Sequence, residues 1–133
     1  MLAVRIPSKD TDTVWSQVKP ILDNKRVLNN WTNTDEIYYR LTNAKADLWV
    51  YGEPVVASLV ASIGTKQDSS RVYRVELMAC PDGADISWKD MIETIEAHAK
   101  AIGCSSITVK GRKGWQRALP SYSLAQVTLE KTL

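Results

Sequence analysis

"CPDGADISWKDMIETIEAHAKAIGC", residues 80 to 104, is the stretch whose reading decides the fold. Both ends of one helix are written into it. Pro81 to Asp85 form a loop, and Ser87 followed three residues later by Asp90 makes a capping box. Trp88, Met91, Ile92, Ile95, Ala99 and Ile102 then fall in one apolar stripe at about 100° per residue. Gly103 stands where a helix ends in a left-handed residue, a conformation glycine adopts without steric cost. The spacing predicts an amphipathic helix that stops at residue 102.

Upstream of this unit the period changes to that of strands. "DLWVYGE" (47–53), "PVVASLVASIGT" (54–65) and "RVYRVELMAC" (71–80) are β-rich. Gly52-Glu53-Pro54 reads as a hairpin turn and "TKQDSS" (65–70) as a polar loop, so the three strands form an antiparallel meander. Two helices precede them. One spans "TDEIYYRLTNAKA" (34–46), with Ile37, Tyr38 and Leu41 on one face and Thr34 or Asp35 as cap. The other begins in "SKDTDTVWSQVKPILDN" (8–24), where Val14, Trp15, Val18, Ile21 and Leu22 share helical spacing. Pro20 predicts a kink or break near residue 19, because proline removes a backbone donor. "LAVRI" (2–6) is a short first strand. Downstream come a strand in "SSITVKG" (105–111), a short helix or turn in "KGWQRALPSY" (113–122) and a final strand carrying Leu124, Val127 and Leu129.

Composition narrows the class further. A chain of 133 residues fits one domain, 1–133, and 44% apolar with 24% charged residues is the balance of a globular protein. No apolar run approaches the ~20 residues of a membrane helix, and no signal-peptide pattern follows Met1. Net charge of +2 does not by itself point to nucleic acid. Cys80 and Cys104, with His98 as the one histidine, do not make a metal site and read as reduced, buried thiols. Five Trp, five Tyr and no Phe suit a domain with a partly wet groove or a partner surface.

The order of elements and several local stretches resemble the GNAT fold of acyl-CoA N-acyltransferases, an α+β architecture with a mixed, mostly antiparallel sheet flanked by helices. The residues that carry the resemblance are Gly83, Asp85 and Trp88, then Ala99 to Cys104, Ile107 and Val109. Gly111-Arg112-Lys113-Gly114-Trp115-Gln116-Arg117, Leu119, Tyr122 and Leu129 to Leu133 continue it, and Leu48-Trp49-Val50 matches upstream. Within the fold the chain looks like a group of GNAT-like proteins of tailed bacteriophages. The resemblance implies an acetyl-CoA site lined by Met78, Cys80, Gly83, Ala84, Asp85, Ile86 and Ser87. It implies Glu76 as the base and Tyr122 as the acid that protonates the leaving thiolate, and no metal. It also puts Tyr38, Tyr39 and Trp31 on the acceptor side, either lining a groove or completing the core.

Several residues depart from that chemistry. The 80–88 loop has a single glycine, two acids (Asp82 and Asp85) and no leading Arg or Gln, and Pro81 removes one N–H donor. Carboxylates beside a pyrophosphate repel it. Leu119 stands where the thiolate-acid tyrosine is usual, with Tyr122 three residues on. Glu76 reads equally as an ordinary strand carboxylate. On these grounds the leading expectation is a non-catalytic phage component, for virion assembly or host interaction, located in the virion or host cytoplasm with a phage or host protein as partner. The alternative is an acetyl-CoA-dependent N-acyltransferase with an atypical loop, whose partner is a small-molecule acyl donor. Lys110, Arg112, Lys113 and Arg117 read as a solvated strand end, since no wider basic field surrounds them, and nucleic acid is not expected. Trp115 reads as a wedge against the sheet, and His98 as a surface or boundary residue.

Overall fold

The computed structural model describes residues 3–23, 33–81 and 86–109. In chain order they form β1 (Ala3–Ile6), a 3-10 turn (Ser8–Asp10), α1 (Thr11–Leu22), α2 (Thr34–Thr42), β2 (Asp47–Tyr51), β3 (Ala57–Thr65), β4 (Arg71–Ala79), α3 (Trp88–Ala101) and β5 (Ser106–Val109). The strands make one sheet in the order β1-β2-β3-β4-β5. Neighbours are antiparallel as far as β4, and β5 lies parallel to β4. A parallel neighbour needs a crossover, and α3 supplies it. The turn and strand expected from residue 113 onward lie outside the described residues.

Both faces of the sheet are covered. On one, Met91, Ile92, Ile95 and Ala99 of α3 pack on Trp49, Leu59, Tyr73, Val75 and Met78. On the other, Val18, Ile21 and Leu22 of α1 with Ile37 and Leu41 of α2 pack on Leu48, Val50, Val60 and Leu77. Double coverage explains why Leu48, Trp49 and Val50 are all buried, where a one-sided strand would alternate.

Three expectations about helix ends need correction. Helix α1 runs through Pro20 to Leu22. Ile21 and Leu22 are buried there, and the Asp23 N–H reaches the Lys19 carbonyl at 2.9 Å, so burial and the resumed ladder hold the last turn. The cap of α2 is Asn33, whose side chain accepts the Glu36 N–H at 2.8 Å, while the Thr34 hydroxyl donates to Asp23. Helix α2 also stops at Thr42, short of residue 46, because Ala44 turns left-handed at φ 56°. The Ala44 and Lys45 N–H groups then close on the carbonyls of Leu41 (3.3 Å) and Arg40 (2.8 Å). The same motif ends α3 with the glycine the sequence offers. Gly103 has φ 87°, its N–H meets Lys100 O at 3.2 Å, and the Cys104 N–H meets Ala99 O at 2.9 Å. Arg71 Nη1 donates to Ile102 O at 3.0 Å, and the Ser105 N–H donates to Arg71 O at 2.9 Å, which ties the end of α3 to the starts of β4 and β5.

A polar chain crosses the α3 face of the sheet. Trp49 Nε1 donates to the Tyr73 hydroxyl at 3.0 Å, and that hydroxyl donates to Asp47 Oδ2 at 2.6 Å. Arg5 Nη2 donates to Asp47 Oδ1 at 3.0 Å. His98 is half-buried, with its ring edge-on to Trp49 (5.2 Å) and Tyr73 (5.7 Å). Burial first, then the bond to Asp47, raises the Tyr73 phenol well above its ordinary value.

Two stability measurements follow. Replacing Ala44 with Gly relieves the left-handed strain and should raise stability by about 0.5–1 kcal/mol, whereas Gly103→Ala should lower it by a similar amount, read as shifts in urea midpoint. Tyr73→Phe should cost about 1–3 kcal/mol by orphaning Trp49 Nε1 and taking the donor from Asp47 Oδ2. A folded-state value raised above that of the unfolded chain adds stability that is complete below pH ~10 and lost as pH climbs further. The wild type should therefore weaken more steeply above pH ~10 than Tyr73→Phe, and equal slopes would contradict the assignment.

Candidate functional site

Strand β4 carries one more residue than its partner. Val60 pairs with Leu77, but the next β3 residue, Ala61, pairs with Val75. Glu76 is the extra residue of a β-bulge. In an unbroken strand residues 73, 75, 77 and 79 would share a face. Here Tyr73 and Val75 face α3 with Met78, while Leu77 and Ala79 face α1 and α2. The bulge thus reverses the parity of the strand at Glu76. Pairing with β5 runs from Val72↔Ser106 to Val75↔Val109, so the described ladder reaches the bulge and goes no further.

The Glu76 carboxylate is held by α2. Arg40 Nη1 donates to Oε1 at 3.1 Å and Nη2 to Oε2 at 2.6 Å, the two-pronged geometry that makes guanidinium–carboxylate pairs strong and directional. The side chains are 27% and 31% exposed, so the pair is fixed yet open to a ligand. These hydrogen bonds push the Arg40 guanidinium further above its ordinary value, against the opposing effect of partial burial, and the charge of Glu36 adds to the rise. Ile37 and Leu41 anchor α2 on the sheet, and the Lys45 N–H on Arg40 O fixes the helix end. Arg40 was not singled out in the sequence. Its signal was a cation between Ile37 and Leu41, on the flank of an inward helical face, with an unexplained carboxylate in a later strand.

The aromatic residues of this side divide. Tyr38 packs on Trp15 of α1 with ring centroids 5.0 Å apart and donates its hydroxyl to Asp12. Tyr39 is exposed, with Lys45 Nζ 5.2 Å from its ring centre. Tyr38 therefore closes the α1–α2 contact, and Trp31 lies outside the described residues.

On the other side, the end of β4 and the start of α3 flank residues 82–85 in sequence. Met78 is buried under α3, and Cys80 and Ile86 are partly buried against the same core. Ser87 caps α3, its hydroxyl accepting the Asp90 N–H at 3.4 Å, a weak version of the expected cap. Gly83, Ala84 and Asp85 lie outside the described residues, as do Asp82, Leu119, Tyr122 and the cations at 110, 112, 113 and 117. So does Trp115. Cys80 and Cys104 are not disulfide-bonded, and they are half-buried where full burial was expected. Among the described residues no group of His, Cys, Asp and Glu is placed to hold a metal, and no helix is long and apolar enough to cross a membrane.

A double-mutant cycle of Arg40→Gln and Glu76→Gln, read by urea denaturation, should give a coupling of about 1 kcal/mol, the upper end for a partly exposed ion pair. Additive effects would mean that the two side chains do not hold each other in solution.

No protein-family model matches the chain, and no curated protein does. Solved structures do. A probable acetyltransferase superposes with a TM-score of 0.72 at 11% identity, covering 100% of this chain and 97% of the other. An aminoglycoside acetyltransferase from an uncultured soil metagenomic sample gives 0.71 at 13% identity, covering 98% and 95%. A GNAT family acetyltransferase of Staphylococcus aureus gives 0.68 at 14%, with both chains covered in full. At such identities the likeness establishes the fold: an α+β GNAT architecture with a five-stranded mixed sheet among the described residues.

Proposed function

We propose that this chain is an acetyl-CoA-dependent N-acetyltransferase acting on a small amine. The observation that carries the reading is Glu76, a carboxylate on the bulge of β4, oriented by Arg40 and open to solvent where the described β4–β5 ladder ends. The similarity to acetyltransferases over the whole chain supports this reading better than a non-catalytic phage component. The phage reading rests on a resemblance carried by the run from about 72 to 133, and no observation among the described residues favours it.

The fit to acetyl-CoA rests on two features of the fold. The N-terminus of α3 directly follows the loop after β4 and concentrates partial positive charge where a pyrophosphate would rest. Beyond Val75, β4 continues through Glu76, Leu77, Met78 and Ala79, a length of strand for the pantetheine arm to follow. Met78 would contribute through its backbone, since its side chain is buried under α3. Ile86 and Ser87 would bound the loop, with Cys80, Gly83, Ala84 and Asp85 completing it. Acetyl-CoA, when bound, supplies an acyl carbon that bonds to the amine nitrogen while the C–S electron pair leaves with sulfur as thiolate.

The chain's own groups handle the protons. A carboxylate has about four lone-pair sites, and Arg40 occupies one on each oxygen of Glu76. The remaining sites accept the proton released by the attacking amine, directly or through one water. Tyr122 is the proposed donor to the thiolate. The ion pair with Arg40 orients the carboxylate and keeps it from swinging away.

Saturable thermal stabilisation by acetyl-CoA is the first test, since a ligand bound only to the folded state raises Tm with concentration. Glu76→Gln should retain that stabilisation and lose about 100-fold or more in kcat. No Tm shift at millimolar acetyl-CoA, or an unchanged kcat in Glu76→Gln, would respectively sink the cofactor and the base.

A further inference from the structure

We infer that the acceptor is a zwitterion, an α-amino acid whose ammonium meets Glu76 and whose carboxylate meets Arg40. The inference rests on the acetyltransferase reading and deepens it. It starts from a difficulty in the geometry. A simple cationic amine that approached Glu76 would meet the Arg40 guanidinium on the same carboxylate, 2.6 Å from Oε2. Taking Glu76 for itself, it would leave Arg40 with a poorer partner, Glu36, which acts on it through charge alone. Like charges crowded on one carboxylate are unfavourable, and stripping a guanidinium of a two-pronged bond forfeits a strong contact.

An acceptor that brings its own carboxylate removes the difficulty. In an α-amino acid the two charges are separated by a single carbon, which matches adjacent protein charges of opposite sign. Set antiparallel to the Arg40–Glu76 pair, the ligand makes a closed square of four alternating charges. Each protein group keeps a partner and gains a second. Two features of the pair suit it to this role. Both side chains keep about a third of their surface exposed, so neither must be dug out of the core. Both are also fixed from behind, Glu76 by the bulge and Arg40 by the closed end of α2, so the ordering cost of a receptor is already met. Arg40 is then a specificity residue that reads the acceptor's carboxylate, and Glu76 takes the proton from its amine.

The experiment compares the proteinogenic amino acids with the amines left by removing their carboxyl groups, such as L-lysine against cadaverine and L-phenylalanine against phenethylamine. Binding to the protein alone is measured by calorimetry, and turnover with acetyl-CoA by release of free thiol. The best amino acid should bind, and should exceed its own amine at least about tenfold in kcat/KM, as expected for one charge-assisted contact. Arg40→Gln should collapse that ratio by raising KM for the amino acid far more than for the amine, and Arg40→Lys should restore part of it. Amines equal to or better than their amino acids, or an unchanged ratio in Arg40→Gln, would overturn the inference. So would the absence of binding by any amino acid. The wild-type comparison stands even if a variant fails to fold. Failure of acetyl-CoA to shift Tm with amino-acid binding intact would instead strike the acetyltransferase reading and leave the zwitterion site standing.

Discussion

The inserted residue in β4 governs how the sheet meets its helices. Up to Val75 the odd-numbered side chains of β4 serve the core beneath α3, and after Glu76 they serve the core beneath α1 and α2. In an unbroken strand of the same residues, Leu77 and Ala79 would turn toward α3 and Met78 away from it. The same residue meets α2, where Arg40 holds its carboxylate, and the bulge lets Leu77 follow it on that side. Packing and chemistry thus share a single backbone irregularity. A deletion at 76 would repair the ladder, keep Leu77 and Ala79 on their present side and remove the carboxylate.

Much of this was legible in the residues. The stripe from Trp88 to Ile102 and the glycine after it specify α3 with both ends, because capping and positive φ are local requirements met by local residues. The inward faces of α1 and α2 were equally plain from spacing. What failed was local chemistry overruled by its surroundings. Pro20 argued for a break, and the burial of Ile21 and Leu22 outweighed it. Ala44 has no preference for a left-handed turn, so nothing in it announced where α2 ends.

The site was half legible. Glu76 stood out as the one strand acid worth weighing, but whether a partner met it there depended on how α2 docks on the sheet. Its mate Arg40 lies 36 positions away. Contacts of that range depend on how helix and strand dock, a tertiary matter. The bulge in turn is invisible to alternation, because "RVELMA" is apolar enough to read as a strand in either phase.

Sheet order follows chain order, and that has a meaning for how the molecule is made. Strands β1 to β4 pair antiparallel, and β2, β3 and β4 are joined by short turns, so that part of the ladder closes small loops and gathers contacts early. Strand β5 has to wait until α3 has formed and crossed the sheet, for only then does Arg71 find Ile102 and Ser105. Among the described strands, the β5 side of β4 is therefore the last to be completed. A nascent chain would hold a sound antiparallel meander before it possessed the parallel β4–β5 pair, and the Arg71 contacts mark the moment of transition between the two.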